Sequence, residues 1–139
     1  MSVQIDVLYE GDLHCVATHN PSKSTLTTDA PVDNGGKGET FSPTDLVATA
    51  LGSCIITIIG LYAKKKEFDI TGTTVRVIKE MVSKPVRRIG SLDVVITLPK
   101  GNKYSDADRA VFENIAKMCP VKQSFCQEVN VTIKFVYPD

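Results

Sequence analysis

Two cysteines stand where a thiol can do chemistry. Cys119 directly precedes Pro120, and proline is accommodated at the first position of a helix but not in its interior. A helix restarting at Pro120 makes Cys119 its N-cap, where unpaired N–H groups and the positive dipole end favour thiolate, the reactive form. Cys54 lies in the middle of Leu46 to Ala63, a run without a single charge. Burial there keeps a thiol inert unless a cation, a hydrogen-bond donor or a second helix end reaches it. Each cysteine also has a packing reading, as a small buried hydrophobe. The two fall in different helices, so spacing alone does not make them neighbours. Should those helices pack together, the pair could form a dithiol–disulfide couple. Cys15, on a strand, and Cys126, near a helix end, read as packing residues.

Other chemistries find less support. His14 and Cys15 point to opposite faces of a strand, and His14 and His19 differ in parity, so no zinc or iron site is expected. Asn34-Gly35-Gly36-Lys37-Gly38 lacks the hydroxyl residue and the strand-to-helix context of a phosphate-binding loop. Both histidines lie near the N-terminus, which leaves no Ser/His/Asp arrangement to nominate. Lys+Arg and Asp+Glu are both 16; a formal charge of zero argues against nucleic acid or an anionic membrane as the main partner. A hydrophobic share of 42% excludes a disordered chain. The stretch MSVQIDVLYEGD has no basic segment followed by an apolar one, so a cytoplasmic protein with resting thiols is expected.

The element that must carry Cys54 is a helix over Ser42 to Lys66. Ser42 suits the N-cap, Pro43 sits where its missing N–H costs nothing, and Asp45 completes a capping-box pattern. Lys64, Lys65 and Lys66 complement the far dipole end. At about 36 Å the helix is long for 139 residues. Apolar on every side, it must be buried on every side. Its length permits a membrane span, but Thr49, Gly52, Ser53, Thr57 and Gly60 moderate it, and a core helix is expected. Ala48 with Gly52, and Ala50 with Cys54, are small pairs four apart. Such faces admit another helix closely, so Gly52 is expected at a helix–helix or subunit contact.

Val3–Tyr9, Leu13–Thr18 and Lys23–Thr28 read as three strands of an antiparallel meander, and the glycine-rich Ala30–Thr40 as a loop feeding the helix. Beyond the helix come a strand over Ile70–Val82 and one over Arg88–Leu98, with Leu92, Val94, Ile96 and Leu98 on one face. Ser105 and Asp108 form a second capping pattern, opening a helix whose Val111, Ile115 and Met118 are expected to face the core. A short helix follows Cys119 to about Gln127, and Val129 to Tyr137 alternates as a last strand. The expectation is one α+β domain over residues 1–139, ordered βββ-α-ββ-αα-β, with antiparallel sheets.

The run Ser42-Pro43-Thr44-Asp45-Leu46-x3-Ala50-Leu51-Gly52-Ser53-Cys54, followed about 65 residues later by Cys119-Pro120-Val121, resembles the OsmC/Ohr family, and the element order agrees. The resemblance implies an intertwined homodimer in which two central helices pack together, with sites at the subunit interface. It implies a thiol-dependent peroxidase for small organic hydroperoxides, with Cys54 peroxidatic, Cys119 resolving, an external dithiol as reductant, and neither cofactor nor metal. Two positions depart from the pattern. Thr44 stands where the family peroxidases carry a glutamate, with the acid one place later at Asp45, so any supporting role passes to these two. The family also draws an arginine from its N-terminal strands, whereas residues 1–40 hold only the cations Lys23 and Lys37, and lysine lacks arginine's planar fork. The alternative is a weakly catalytic or non-catalytic dimer that binds a small apolar or thiol-reactive ligand.

Overall fold

Ser42 and Asp45 close the helix start as their spacing predicts. The Asp45 N–H donates to Ser42 Oγ at 3.0 Å and the Ser42 N–H to Asp45 Oδ2 at 2.9 Å. From this box α1 runs over Pro43–Lys65, 23 residues. The computed structural model describes residues 1–139, which gather into two compact units, Met1–Val47 and Ala48–Asp139.

In the first unit β1 (Ile5–Gly11), β2 (His14–His19) and β3 (Thr25–Asp29) form an antiparallel sheet in that order. Its apolar residues gain little from it: Ile5, Val7, Leu8 and Tyr9 are all exposed. The side chains this unit does enclose are polar, Asp29 and Ser42. Residues 30–41 form a tight loop with a 3-10 turn over Val32–Asn34. Gly36 is required there, since a Cβ on it would stand 1.8 Å from Ala30 O.

The second unit carries the core. Here β4 (Thr74–Val82) pairs antiparallel with β5 (Arg88–Thr97), and β5 pairs with β6 (Asn130–Val136). That last pairing is parallel, which corrects the expectation of purely antiparallel sheets. A parallel neighbour needs a long crossover, supplied by α2 (Asp106–Lys117) and α3 (Pro120–Gln123). Leu92, Val94, Ile96 and Leu98 are buried, so the alternation read from β5 gives the core face. They pack with Leu51, Ile55 and Ile59 of α1 and with Phe112 and Ala116 of α2. Although α1 is long and apolar enough to cross a bilayer, these three α1 residues are fully enclosed by protein.

Three details differ from the sequence reading. Met118 is exposed; Ile115 does pack against the core, but the fully buried residues of α2 are Phe112 and Ala116, one helical turn apart, with Cys119 beyond them. The short helix stops at Gln123, well before Gln127. Gly52 faces a sheet and not a second helix: a Cβ there would lie 3.0 Å from Val77 Cγ2 and 3.3 Å from Val75 Cγ1 of β4. Gly52→Leu should therefore overpack this unit and lower its stability by about 1–3 kcal/mol. A denaturant midpoint unchanged from wild type would contradict that placement.

Candidate functional site

Cys119 is fully buried and is the N-cap of α3, with Pro120 at the first helical position. The sequence placed it there correctly, but the electrostatic outcome is the reverse of the one expected. Burial, first, and then the neighbouring Cys54, by hydrogen bond and charge, push the Cys119 thiol up from its ordinary value. The N–H groups of Val121 and Lys122 face the sulfur and pull the other way, without forming a cap hydrogen bond of ordinary geometry. Their pull is small because α3 is four residues long, and a single turn sums few peptide dipoles. Desolvation of a thiolate outweighs it.

Cys54 is half-buried at the rim of the same core. Gly52 faces β4, and two residues further along a helix is about 200° round the axis, so Cys54 is turned away from the sheet. It packs against the buried cluster that contains Cys119, and acts on that thiol as a neighbour. Both sulfurs are free thiols. The packing that joins them runs through α2: Phe112 meets Tyr62 of α1 edge-on at 5.6 Å between ring centroids. Ala116, one turn on, leads into the Cys119 cap.

The other side of Cys54 is open. Thr49, Ser53, Thr57 and Leu61 form an exposed stripe along α1. Two of its hydroxyls turn back on their own helix, Ser53 Oγ donating to Ala50 O and Thr57 Oγ1 to Ser53 O. With those donors used internally, the stripe presents small and mainly apolar atoms outward.

The remaining sequence candidates lie elsewhere. Thr44 Oγ1 is 3.2 Å from Ser42 Oγ, and the Asp45 carboxylate serves the helix cap. Cys15 pairs across the N-terminal sheet with Tyr9, and Cys126 is exposed beyond α3. His14 and His19 do not converge: His14 meets Asp29, and His19 Nδ1 lies 2.6 Å from Ser22 Oγ. No three His, Cys, Asp or Glu side chains come together as a metal-holding group. One relationship escaped the sequence reading, the buried Asp29 with His14 upon it. The clue was available in the paired ends of β2 and β3, where His14 stands opposite Asp29.

Comparison with known proteins gives a consistent picture. The family described as OsmC-like protein matches residues 36–134. A Psychrobacter arcticus structure, named for osmotic stress induction and a detoxification response, is 44% identical. The alignment covers 94% of this chain and 93% of that one, at a TM-score of 0.88. The organic hydroperoxide resistance protein OsmC of Legionella pneumophila shares the fold at 14% identity, with 98% and 97% of the two chains covered and a TM-score of 0.77. An organic hydroperoxide resistance protein of Elizabethkingia anophelis does so at 13% identity, 99% and 97% coverage and a TM-score of 0.77. Curated proteins yield no sequence match.

Proposed function

Because this chain belongs to the OsmC-like protein family, we propose that it reduces small organic hydroperoxides with its own two thiols. The observation that carries this reading is the meeting of Cys54 and Cys119, both reduced, at the edge of a packed core. The Cys54 thiolate attacks one peroxide oxygen, forming an S–O bond as the O–O bond breaks. The departing alkoxide takes a proton and leaves as an alcohol, and Cys54 becomes a sulfenic acid. The Cys119 thiolate then attacks that sulfur, a disulfide forms and water leaves. A dithiol resets the pair by exchange and is itself oxidised to a disulfide. Full burial of Cys119 suits a resolving thiol, which acts only after its neighbour has been oxidised.

The reading includes a homodimer. The bare stripe on α1 beside Cys54 and the exposed apolar residues of β1 are the surfaces that a second copy would cover. Leu61 stands exposed on the stripe, so Leu61→Asp should convert a dimer to monomer by placing a charge in an apolar contact. Sedimentation of wild type as a monomer at micromolar concentration would remove this part of the reading. The activity itself is tested by steady-state consumption of cumene hydroperoxide and of hydrogen peroxide with a dithiol and with a monothiol. The expected order is organic peroxide above hydrogen peroxide and dithiol above monothiol. No consumption under any combination would leave the alternative, a dimer that binds an apolar or thiol-reactive ligand.

A further inference from the structure

The Met1–Val47 unit hides a carboxylate where a core residue is usual. Asp29 ends β3 and is 3% exposed. Its Oδ1 is 2.6 Å from His14 Nδ1 on the neighbouring strand. Its Oδ2 accepts the Glu39 N–H at 3.0 Å, and the Thr40 N–H adds a further hydrogen bond. Its own N–H donates to Phe41 O at 3.1 Å. One residue thus holds three successive positions, 39, 40 and 41, of the loop that enters the Ser42–Asp45 cap.

We propose that Asp29 and His14 form a latch that fixes residues 39–41, and with them the entry to the helix-start box, against β2 and β3. A buried carboxylate shared by backbone donors and an imidazole is held by charge-assisted hydrogen bonds, which are stronger than neutral ones. The charged groups around the ring are Asp29 on β3 and Glu10 on β1, whose Oε1 lies 3.6 Å from Nε2. Asp29 is held below the usual carboxylate range by the His14 hydrogen bond first, and also by the Glu39 and Thr40 N–H groups, against the cost of burial. A lowered carboxylate contributes stability that is present above its unfolded pKa and is lost as pH falls through the folded one. The latch therefore opens at strongly acid pH by protonation of Asp29. Its bearing on turnover rests on the peroxidase reading, through Thr44 and Asp45; the latch itself does not.

The test is residue-resolved amide exchange by NMR on the full chain between pH 5 and 8, corrected for intrinsic exchange, for wild type, Asp29→Ala and His14→Ala. The expected result is roughly tenfold or greater acceleration at Glu39 and Thr40 in Asp29→Ala, since charge-assisted acceptors are lost, with β5 amides unchanged. In His14→Ala the acceleration is smaller, because Asp29 keeps its bond from the Glu39 N–H. Unchanged exchange at residues 39–40 in Asp29→Ala overturns the latch. Should Asp29→Ala also expose β5 and so be globally unfolded, His14→Ala decides: exchange at residues 39–40 identical to wild type overturns the proposal, and acceleration confined to those residues upholds it. No peroxide enters the experiment, so its outcome is independent of whether the chain is a peroxidase.

Discussion

Cys54→Ser should abolish hydroperoxide consumption, whereas Cys119→Ser should keep the first attack and lose the second. A neutral hydroxyl is a far poorer nucleophile than a thiolate, so the Cys54 variant has no group that can cleave the O–O bond. The Cys119 variant still makes a sulfenic acid at Cys54, now without its neighbour to condense with. That species should be labelled by a dimedone-type reagent and over-oxidised by excess peroxide. The two variants thus fail at different stages, which distinguishes paired redox chemistry from general damage to the fold. In wild type, the raised Cys119 pKa adds a pH signature. Only the thiolate attacks the sulfenic acid, so disulfide closure should quicken as pH rises above neutrality. The same shift has a stability consequence of fixed sign. A thiol raised in the fold stabilises below its unfolded pKa, and that contribution fades as pH climbs through the folded value. Consumption by Cys54→Ser at the wild-type rate, read by loss of cumene hydroperoxide, would end the catalytic reading.

Phe112→Ala is expected to be the most damaging core truncation, at about 3–5 kcal/mol. Phe112 is fully buried and meets Tyr62, Phe68 and Tyr104 with ring centroids 5.6, 6.3 and 5.3 Å away. All three contacts are edge-type arrangements, which add to simple area burial. Three aromatic neighbours cannot collapse into the space without leaving their own rotamers, so a cavity remains. Because α2 carries Cys119 on from Ala116, the loss should also slacken the approach of the two sulfurs. Urea unfolding checks the stability claim; a fall below 1 kcal/mol would show that the site relaxes more freely than its packing indicates.

The parts of this fold that were legible in the sequence are those set by local chemistry. The Ser42–Asp45 and Ser105–Asp108 boxes need only four residues each, and both form as read. The β5 alternation needed only a period of two, and Leu92, Val94, Ile96 and Leu98 are buried as it requires. What was not legible depends on distant residues. The direction of β6 is set by the α2–α3 crossover, which alternation in β6 does not encode. Met118 shares a helical face with Val111 and Ile115 by spacing, yet the helix is rotated to seat Phe112, the larger side chain. Gly52 read as a helix contact because small residues four apart serve helices and sheets equally well. Cys119 was correctly placed at an N-cap, but its charge preference followed from burial and from Cys54. Sequence offered the pairing of those two cysteines only as a possibility until the resemblance implied it, since nothing in their spacing brings α1 and α3 together.

The central claim is that Cys54 and Cys119 form one redox pair, and peptide mapping tests it most directly. Reduced protein is mixed with one equivalent of cumene hydroperoxide, blocked with iodoacetamide, digested and read by mass spectrometry. The account predicts a single intramolecular link between the Cys54 and Cys119 peptides, with Cys15 and Cys126 recovered alkylated. Four alkylated cysteines, or a link that runs through Cys15 or Cys126, would contradict it.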